Sequence, residues 1–307
     1  MRIIHDPQEL KPAGRKVCLA IGFFDGVHLG HQQIIRQTLG DAKQHEAIGL
    51  VLTFDRHPNT VVAPNRVPSL IYSLPQKLRV IESLGADTLL LIQFDPAFSE
   101  QTGEAFVRGL ARDSGHIQSL CVGANFVFGH KRGGNVELLR KLGTELKFAV
   151  HGMAAVSLDG RAVSSTRIRE TIRAGDLDRV SQMLGRAYAL AGKVVRGDGL
   201  GHQLGFPTAN LDATGLELPP HGVYAIHAEM GGRRCRAVLN IGHRPTLRDP
   251  NPQLRVEAHL IDFAGDLYGQ ELEVTFVERL RAEKQFASLA ELRQQIAQDI
   301  LEAQMRF

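Results

Sequence analysis

The sequence predicts an α/β-plus-β fold: a parallel sheet with covering helices, then a small antiparallel β-structure closed by a final helix. Two textures carry that prediction. From Val17 to Val150, short apolar runs alternate with amphipathic stretches, as crossover connections between parallel strands require. From Ala189 onward, short β-prone runs are separated by glycine and proline instead, the texture of an antiparallel barrel or sandwich. At 307 residues the chain is long enough for two cores, and the change at Gly185-Arg186 sets the expected domains at 1–185 and 186–307.

In the first half, strands are expected at Val17–Ile21, Ile48–Thr53, Thr88–Gln93, Ile117–Val122 and Leu146–Val150. Helices are expected at Gln32–Gln44, Leu74–Leu84, Gly103–Asp113 and Val136–Leu142, where apolar residues recur with helical spacing. Two short helical patterns, broken at Ala174-Gly175-Asp176, join the halves. In the second half, strands are expected at Ala189–Val195, Gly222–Glu229, Arg236–Ile241, Arg255–Ile261 and Glu271–Leu280. Leu289, Leu292, Ile296, Ile300 and Leu301 then mark an amphipathic helix reaching Met305.

Composition narrows the function classes. Apolar content of 43% and charged content of 22% are those of soluble globular proteins. A net charge of +3 suits phosphorylated small molecules but is too small for a nucleic-acid footprint. Cys18, Cys121 and Cys235 lie far apart in apolar segments, so buried, reduced thiols are expected rather than disulfides or a zinc site. Met1–Leu10 is too polar for a signal peptide and no apolar run approaches membrane-spanning length, so a cytoplasmic protein is expected.

The first chemistry-bearing stretch is Gly22-Phe23-Phe24-Asp25-Gly26-Val27-His28-Leu29-Gly30-His31, between the first strand and the first helix. Glycine allows a tight turn and close approach of backbone to a ligand. A helix starting here aims its free N–H groups and positive dipole end at the turn. His28 and His31, three residues apart, face the same way, which makes an anion pocket suited to a polyphosphate. Read only as strand, turn and helix, the stretch is equally compatible with surface or core histidines. Neither a G-x-x-x-x-G-K-S/T loop nor G-x-G-x-x-G occurs here.

Three further loops should reach the same sheet edge. Phe54-Asp55-Arg56-His57-Pro58 follows the second strand and Gly123-Ala124-Asn125-Phe126-Val127-Phe128-Gly129 the fourth. Ser164-Ser165-Thr166-Arg167-Ile168-Arg169 offers N-cap hydroxyls, and Arg167 or Arg169 offers a guanidinium fork for phosphate. From spacing alone, an ordinary capped surface helix explains the last stretch as well.

The H-x-G-H tetrad resembles the signature of the nucleotidyltransferase superfamily. All four loops, in order, are similar to those of bacterial FAD synthetases: F-D-G-V-H-L-G-H, the H-P loop, G-x-N-F-x-F-G and S-S-T-x-I-R. The resemblance implies a Rossmann-like nucleotidyltransferase domain that adenylylates FMN. It implies that Gly22, Phe24, Asp25, Gly26, His28, Gly30 and His31 form the ATP-phosphate turn, with His28 and His31 catalytic. Ser164, Ser165, Thr166 and Arg169 would close on the β- and γ-phosphates. Asn125 would lie in the nucleotide and metal region, as a weaker magnesium contact than the aspartate many relatives carry.

In the second half, Gly197-Asp198-Gly199-Leu200-Gly201-His202-Gln203-Leu204-Gly205-Phe206-Pro207-Thr208-Ala209-Asn210 is the informative stretch. Its glycines suggest backbone wrapped round a ligand, although a flexible hairpin loop has the same composition. Thr208 and Asn210, two residues apart, put hard oxygen ligands on one side of an extended chain, as magnesium with nucleotide phosphates prefers. The string G-x-x-L-G-F-P-T-A-N is similar to the riboflavin kinase signature. So are Asn240-Ile241-Gly242-His243-Arg244-Pro245-Thr246 and the block Val256-Glu257-Ala258-His259 with Asp266-Leu267-Tyr268-Gly269. The resemblance implies a small antiparallel β-barrel kinase, with Gly199, Gly201, His202, Gly205, Pro207, Thr208 and Asn210 on ATP and Mg2+. It implies Glu257 as the base for the ribityl hydroxyl; read alone, Glu257 is a paired strand carboxylate. His202 departs from the arginine often found in relatives.

Together the halves are similar to the bifunctional bacterial riboflavin kinase/FAD synthetase family. The expected substrates are riboflavin, FMN and ATP, with Mg2+ as cofactor and with neither nucleic acid nor membrane as partner. A nucleotidyltransferase for another acceptor, such as a pantetheine phosphate, would not need P-T-A-N and V-E-x-H. A non-catalytic flavin-binding regulator would be expected to lose catalytic groups that are all present here.

Overall fold

Strand burial on both faces dictates the first sheet. The computed structural model describes residues 1–13, 15–243 and 254–307, and the chain divides into two units, Met1–Arg167 and Ile168–Phe307. In the first, Arg2–Ile4 (β1), Val17–Ile21 (β2), Ile48–Phe54 (β3), Thr88–Ile92 (β4) and Ile117–Gly123 (β5) precede two small hairpin strands, Val127–Phe128 (β6) and Gly134–Asn135 (β7). Ala149–Met153 (β8) completes a parallel sheet of order β1-β4-β3-β2-β5-β8. All five residues of β2 are buried, because successive side chains serve opposite faces.

Val17, Leu19, Ile21, Leu50 and Leu52 pack on one face with Phe106, Val107 and Leu139. Ala20, Val51 and Leu89 pack on the other with Ile34, Ile35 and Ile81. The covering helices are Leu29–Gln44 (α1), Leu74–Ser83 (α3), Gly103–Asp113 (α5) and Val136–Leu146 (α6); Asn59–Val62 (α2) and Pro96–Ser99 (α4) are single turns. Ser157–Leu158 (β9) and Arg161–Ala162 (β10) form a short hairpin before Ser165–Ala174 (α7), within whose sequence the division between the two units falls.

The second unit holds most of α7, then Leu177–Leu184 (α8), and a closed antiparallel barrel. Its strands are Ala189–Val195 (β11), Ala209–Leu211 (β12), Gly222–Met230 (β13), Arg233–His243 (β14), Leu254–Leu260 (β15) and Glu271–Ala282 (β16). Leu200–Gln203 (α9) is one turn, and Leu289–Gln304 (α10) ends the chain's regular structure. Tyr224, Ile226 and Ala228 of β13 fill the barrel interior, whereas Val223 and Ala225 face outward to Ile300 and Ala303 of α10. Period-two alternation thus gives one strand two apolar contacts.

Several boundaries differ from expectation for identifiable reasons. Leu146, expected to open a strand, ends α6; Lys147 takes a left-handed φ of 63° and the strand begins at Ala149. α1 starts at Leu29 rather than Gln32 because His28 caps it. Ala209–Leu211 is a barrel strand, not a loop. In α10, Leu289 and Leu301 are 60% and 56% exposed, so they leave the expected apolar stripe. Cys18 and Cys121 are buried, but Cys235 is only half-buried. Arg244, Pro245 and Thr246 of the expected second kinase motif lie outside the described residues.

Ile226 is fully buried inside the barrel. Ile226→Ala should therefore lower the second unit's stability by about 2–5 kcal/mol, read from its urea midpoint. A loss below about 1 kcal/mol would contradict a close-packed barrel interior.

Candidate active sites

In the first unit, β2 is flanked by β3 and β5, so the loops leaving these three strands emerge side by side at their carboxyl ends. The chain proceeds from β2 to β3 on one side and later to β5 on the other. That reversal is a topological switch point, where open α/β sheets bind ligands. The histidine turn and the Asp55–Pro58 and Asn125 loops all belong to this edge.

The turn is tightly held. Gly26 has φ 73°, and a Cβ there would come within 3.0 Å of the Ile71 side chain, so only glycine fits. Val27 sits at φ 40°, a strained conformation for a β-branched residue. Buried Gln32 holds it by donating from Nε2 to the Val27 carbonyl at 2.9 Å. The Asp25 carboxylate is buried and accepts from the Ile71 and Tyr72 backbone N–H groups at 3.0 and 3.4 Å. It therefore supports the turn from behind.

His28 is the N-cap of α1, its Nδ1 accepting from the His31 N–H at 3.4 Å. With Nδ1 as acceptor, a neutral His28 carries its proton on Nε2. The rings of His28 and His31 stack with centroids 3.6 Å apart, and Phe24, fully buried, meets His31 edge-on at 5.3 Å. Gly22 and Gly30 flank the pair in the same turn. The arrangement combines a helix N-terminus with two imidazoles, groups that can meet a polyphosphate.

At α7, the Ser165 hydroxyl donates to the Asp25 carbonyl at 3.1 Å, which joins this helix start to the histidine turn. Ser164 caps the Arg167 N–H at 3.2 Å, and Thr166 is exposed. Arg167 was one candidate for the phosphate fork, but its Nη1 donates to the Leu158 and Arg161 carbonyls at 3.1 and 2.8 Å. Buried among these partners, Arg167 fastens the β9–β10 hairpin. Arg169 is also buried. Asn125 is exposed in the loop after β5. Phe54, Phe126 and Phe128 pack against the sheet core, with Phe126 and Phe128 stacked at 5.2 Å.

Lys77 is a functional candidate that sequence reasoning missed. It lies on α3 with 4% exposure, and its Nζ donates to the carbonyls of Phe23 and Phe54 at 3.2 and 2.9 Å. A lysine in an amphipathic helix reads as solvated, so only the fold brings it to this edge.

In the second unit, Asn210 of β12 and Asn240 of β14 are cross-strand partners of Glu257 on β15. Ala209, Leu211, Val256 and Ala258 point into the barrel, so this polar row faces outward. The row lines a cavity of about 250 Å³ together with Gly199, Gly201, Thr208, Arg255 and His259. Val223, Val238, Phe286, Leu292 and Ile296 supply its apolar wall. His202, Gly205 and Pro207 do not line it, although the Pro207 carbonyl accepts from His259 Nδ1 at 2.8 Å. Arg255 pairs with Asp198 at 2.9 Å and approaches Glu257 at 3.9 Å. A Cβ on Gly201 would lie 2.5 Å from the Phe206 carbonyl and 3.0 Å from Thr208 Oγ1, so glycine is required to cradle this oxygen. At the helix side, Arg281 forks onto buried Asp299 with bonds of 2.8 and 2.7 Å. No sequence spacing announces that pair.

Comparison with known proteins fits this division. The FAD synthetase family model matches residues 10–167 and the riboflavin kinase family model residues 184–307. The bifunctional riboflavin kinase/FMN adenylyltransferase of Escherichia coli K12 is 35% identical, covering 100% of this chain and 98% of the relative. The protein of the same name from Bacillus subtilis is 33% identical over 99% of this chain and 96% of its own. A solved structure titled a macrolide-efflux protein from Streptococcus pneumoniae superimposes with a TM-score of 0.81 at 25% identity, covering 98% of each chain. Among the described residues of this chain, no helix is long and apolar enough to cross a membrane. With both family models matched in order along its length, the chain belongs to the bifunctional riboflavin kinase/FMN adenylyltransferase family.

Proposed function

We propose that the second unit phosphorylates riboflavin to FMN with ATP, and that the first adenylylates FMN to FAD with release of pyrophosphate. The observation that carries this reading is that each family model falls on a unit with its own site: stacked histidines in one, the Asn210–Glu257–Asn240 row in the other. On this reading residues 1–185 form the adenylyltransferase domain and 186–307 the kinase, in the cytoplasm.

The two reactions ask different things of their sites. In adenylyl transfer an FMN phosphate oxygen, already ionised near neutral pH, attacks the α-phosphorus in line. It needs no strong base, only alignment and neutralisation of the leaving pyrophosphate. His28 Nε2, His31 and the α1 N-terminus take the phosphates. The backbone of Gly22, Phe24, Asp25, Gly26 and Gly30 shapes the turn, and Ser164, Ser165, Thr166 and Arg169 close on the β- and γ-phosphates. Asn125 reaches the nucleotide and its metal.

In the kinase the nucleophile is the primary ribityl alcohol, which benefits from a positioned base. Glu257 takes its proton as the γ-phosphoryl is transferred, and Asn210 and Asn240 on either side fix the carboxylate. The backbone at Gly199, Gly201, His202, Gly205 and Pro207 wraps the ATP. Thr208 Oγ1 and the Asn210 amide oxygen form a hard-oxygen donor set that fits Mg2+, and the Gly201 cradle leaves room beside Thr208. When bound, Mg2+ neutralises phosphate charge.

Incubation with riboflavin, ATP and Mg2+, followed by flavin chromatography, should yield FMN and then FAD; formation of neither overturns the reading. His31→Ala should slow FAD formation by about 10²-fold or more while FMN accumulates. Glu257→Gln should slow FMN formation by about 10²–10⁴-fold yet leave FAD synthesis from added FMN intact. Loss of both activities in either folded variant would contradict independent sites. Chelation with EDTA should stop FMN formation, and Mg2+ should restore it; a kinase indifferent to EDTA would remove the metal assignment.

A further inference from the structure

Lysine is almost never fully buried unless paired. α3 needs only an apolar face to cover the sheet, yet it sends the ammonium of Lys77 beneath the ends of β2 and β3. An ammonium has three donors. Here they reach the Phe23 carbonyl at 3.2 Å, Thr53 Oγ1 at 3.2 Å and the Phe54 carbonyl at 2.9 Å. Phe23 opens the turn that carries His28 and His31, and Phe54 ends β3 just before Asp55–Pro58. Thr53 Oγ1 in turn donates to the Phe23 carbonyl at 3.0 Å. The ammonium also lies 4.6 Å from the Phe23 ring centre, and the His57 ring meets that ring edge-on at 4.9 Å.

We propose that Lys77 is a positioning residue for adenylyl transfer: its ammonium locks the histidine turn to the Asp55–Pro58 loop and holds a fixed positive charge behind the phosphate site. This rests on the assignment of adenylyl transfer to the first unit. A purely structural tie would be served by a neutral amine, which keeps two of its three donors. The proposal requires the third donor and the charge.

Titration separates the two. Burial lowers the Lys77 ammonium to about 8, against the opposing pull of the Asp25 and Asp55 carboxylates. The titratable groups facing it are those two carboxylates, with the His57 imidazole beyond the Phe23 ring. Lys77 is charged below that pH and neutral above it, so adenylyl transfer should fall as pH rises through about 8. Phosphate oxygens pass the midpoint of their second ionisation near pH 6, which raises rather than lowers the rate and lies below this limb.

The test measures kcat and KM for FAD formation from FMN across pH 6.5–10 on the full chain, with riboflavin phosphorylation on the same preparation as internal control. Wild-type kcat should fall about tenfold per pH unit beyond the limb, as a single ionisation dictates. Lys77→Arg, which stays charged at every pH used, should keep at least about a tenth of kcat at pH 7 and lose the limb. Lys77→Met should lower kcat for FAD formation by about 10²-fold, with KM for ATP within about threefold and the kinase within about twofold. Near wild-type FAD formation by Lys77→Met, or an unchanged limb in Lys77→Arg, would overturn the proposal. If Lys77→Met does not fold, the pH profile of Lys77→Arg still decides. A wild-type chain that makes no FAD from FMN removes the functional assignment itself, a separate outcome.

Discussion

The position of β2 between β3 and β5 is the constraint on which the first unit depends. A parallel strand buried on both faces has no polar side chain available for chemistry, so function must begin where the strand ends. All five residues of β2 are buried, and the next ten residues carry the glycines and histidines. Because the chain steps from β2 to β3 on one side and later crosses from β4 to β5 on the other, the carboxyl end of β2 opens a crevice rather than a packed loop. The turn entering that crevice is strained at Val27 and is held by buried polar contacts from Gln32, Asp25 and Lys77. Rigid backbone is what a site needs when its work is alignment.

The barrel solves the same problem by alternation. Val256, Ala258 and Leu260 fill the interior, leaving Arg255, Glu257 and His259 on the outer face. A closed barrel has no free edge at which to build a site, so the cavity forms on its outer wall. α10, the 281–286 segment and the 198–208 segment supply most of the remaining lining. That explains why Val223 and Val238, outward-facing yet nearly buried, remain apolar.

Much of this was legible because local chemistry and fold agree. The β2 run, the Gly-His turn and the P-T-A-N stretch each follow from spacing and residue type. Residues acting at a distance in sequence were not legible. Lys77 contacts Phe23 and Phe54, more than twenty positions away, and lies in a helix whose pattern assigns lysine to solvent. Arg167 and Arg169 looked equivalent as phosphate forks until the β9–β10 hairpin took the guanidinium of Arg167. Asp25 has the appearance of a site residue, yet its carboxylate is committed to the backbone at Ile71 and Tyr72. Leu146 ended a helix because Lys147 adopts a left-handed turn, which no propensity assigns to lysine.

On the proposed assignments, the two sites also differ in residue type as their nucleophiles do. On the proposed reading the alcohol must lose a proton as it attacks, and the outer row offers the Glu257 carboxylate between Asn210 and Asn240 of the neighbouring strands, with Arg255 at 3.9 Å. A phosphate monoester arrives already charged, so a carboxylate beside it would repel it. In the first unit the carboxylates of Asp25 and Asp55 point away, taken up by the N–H groups of Ile71 and Phe94 at 3.0 and 2.9 Å. Beside them, that edge presents two imidazoles, the N–H groups that open α1 and a buried ammonium.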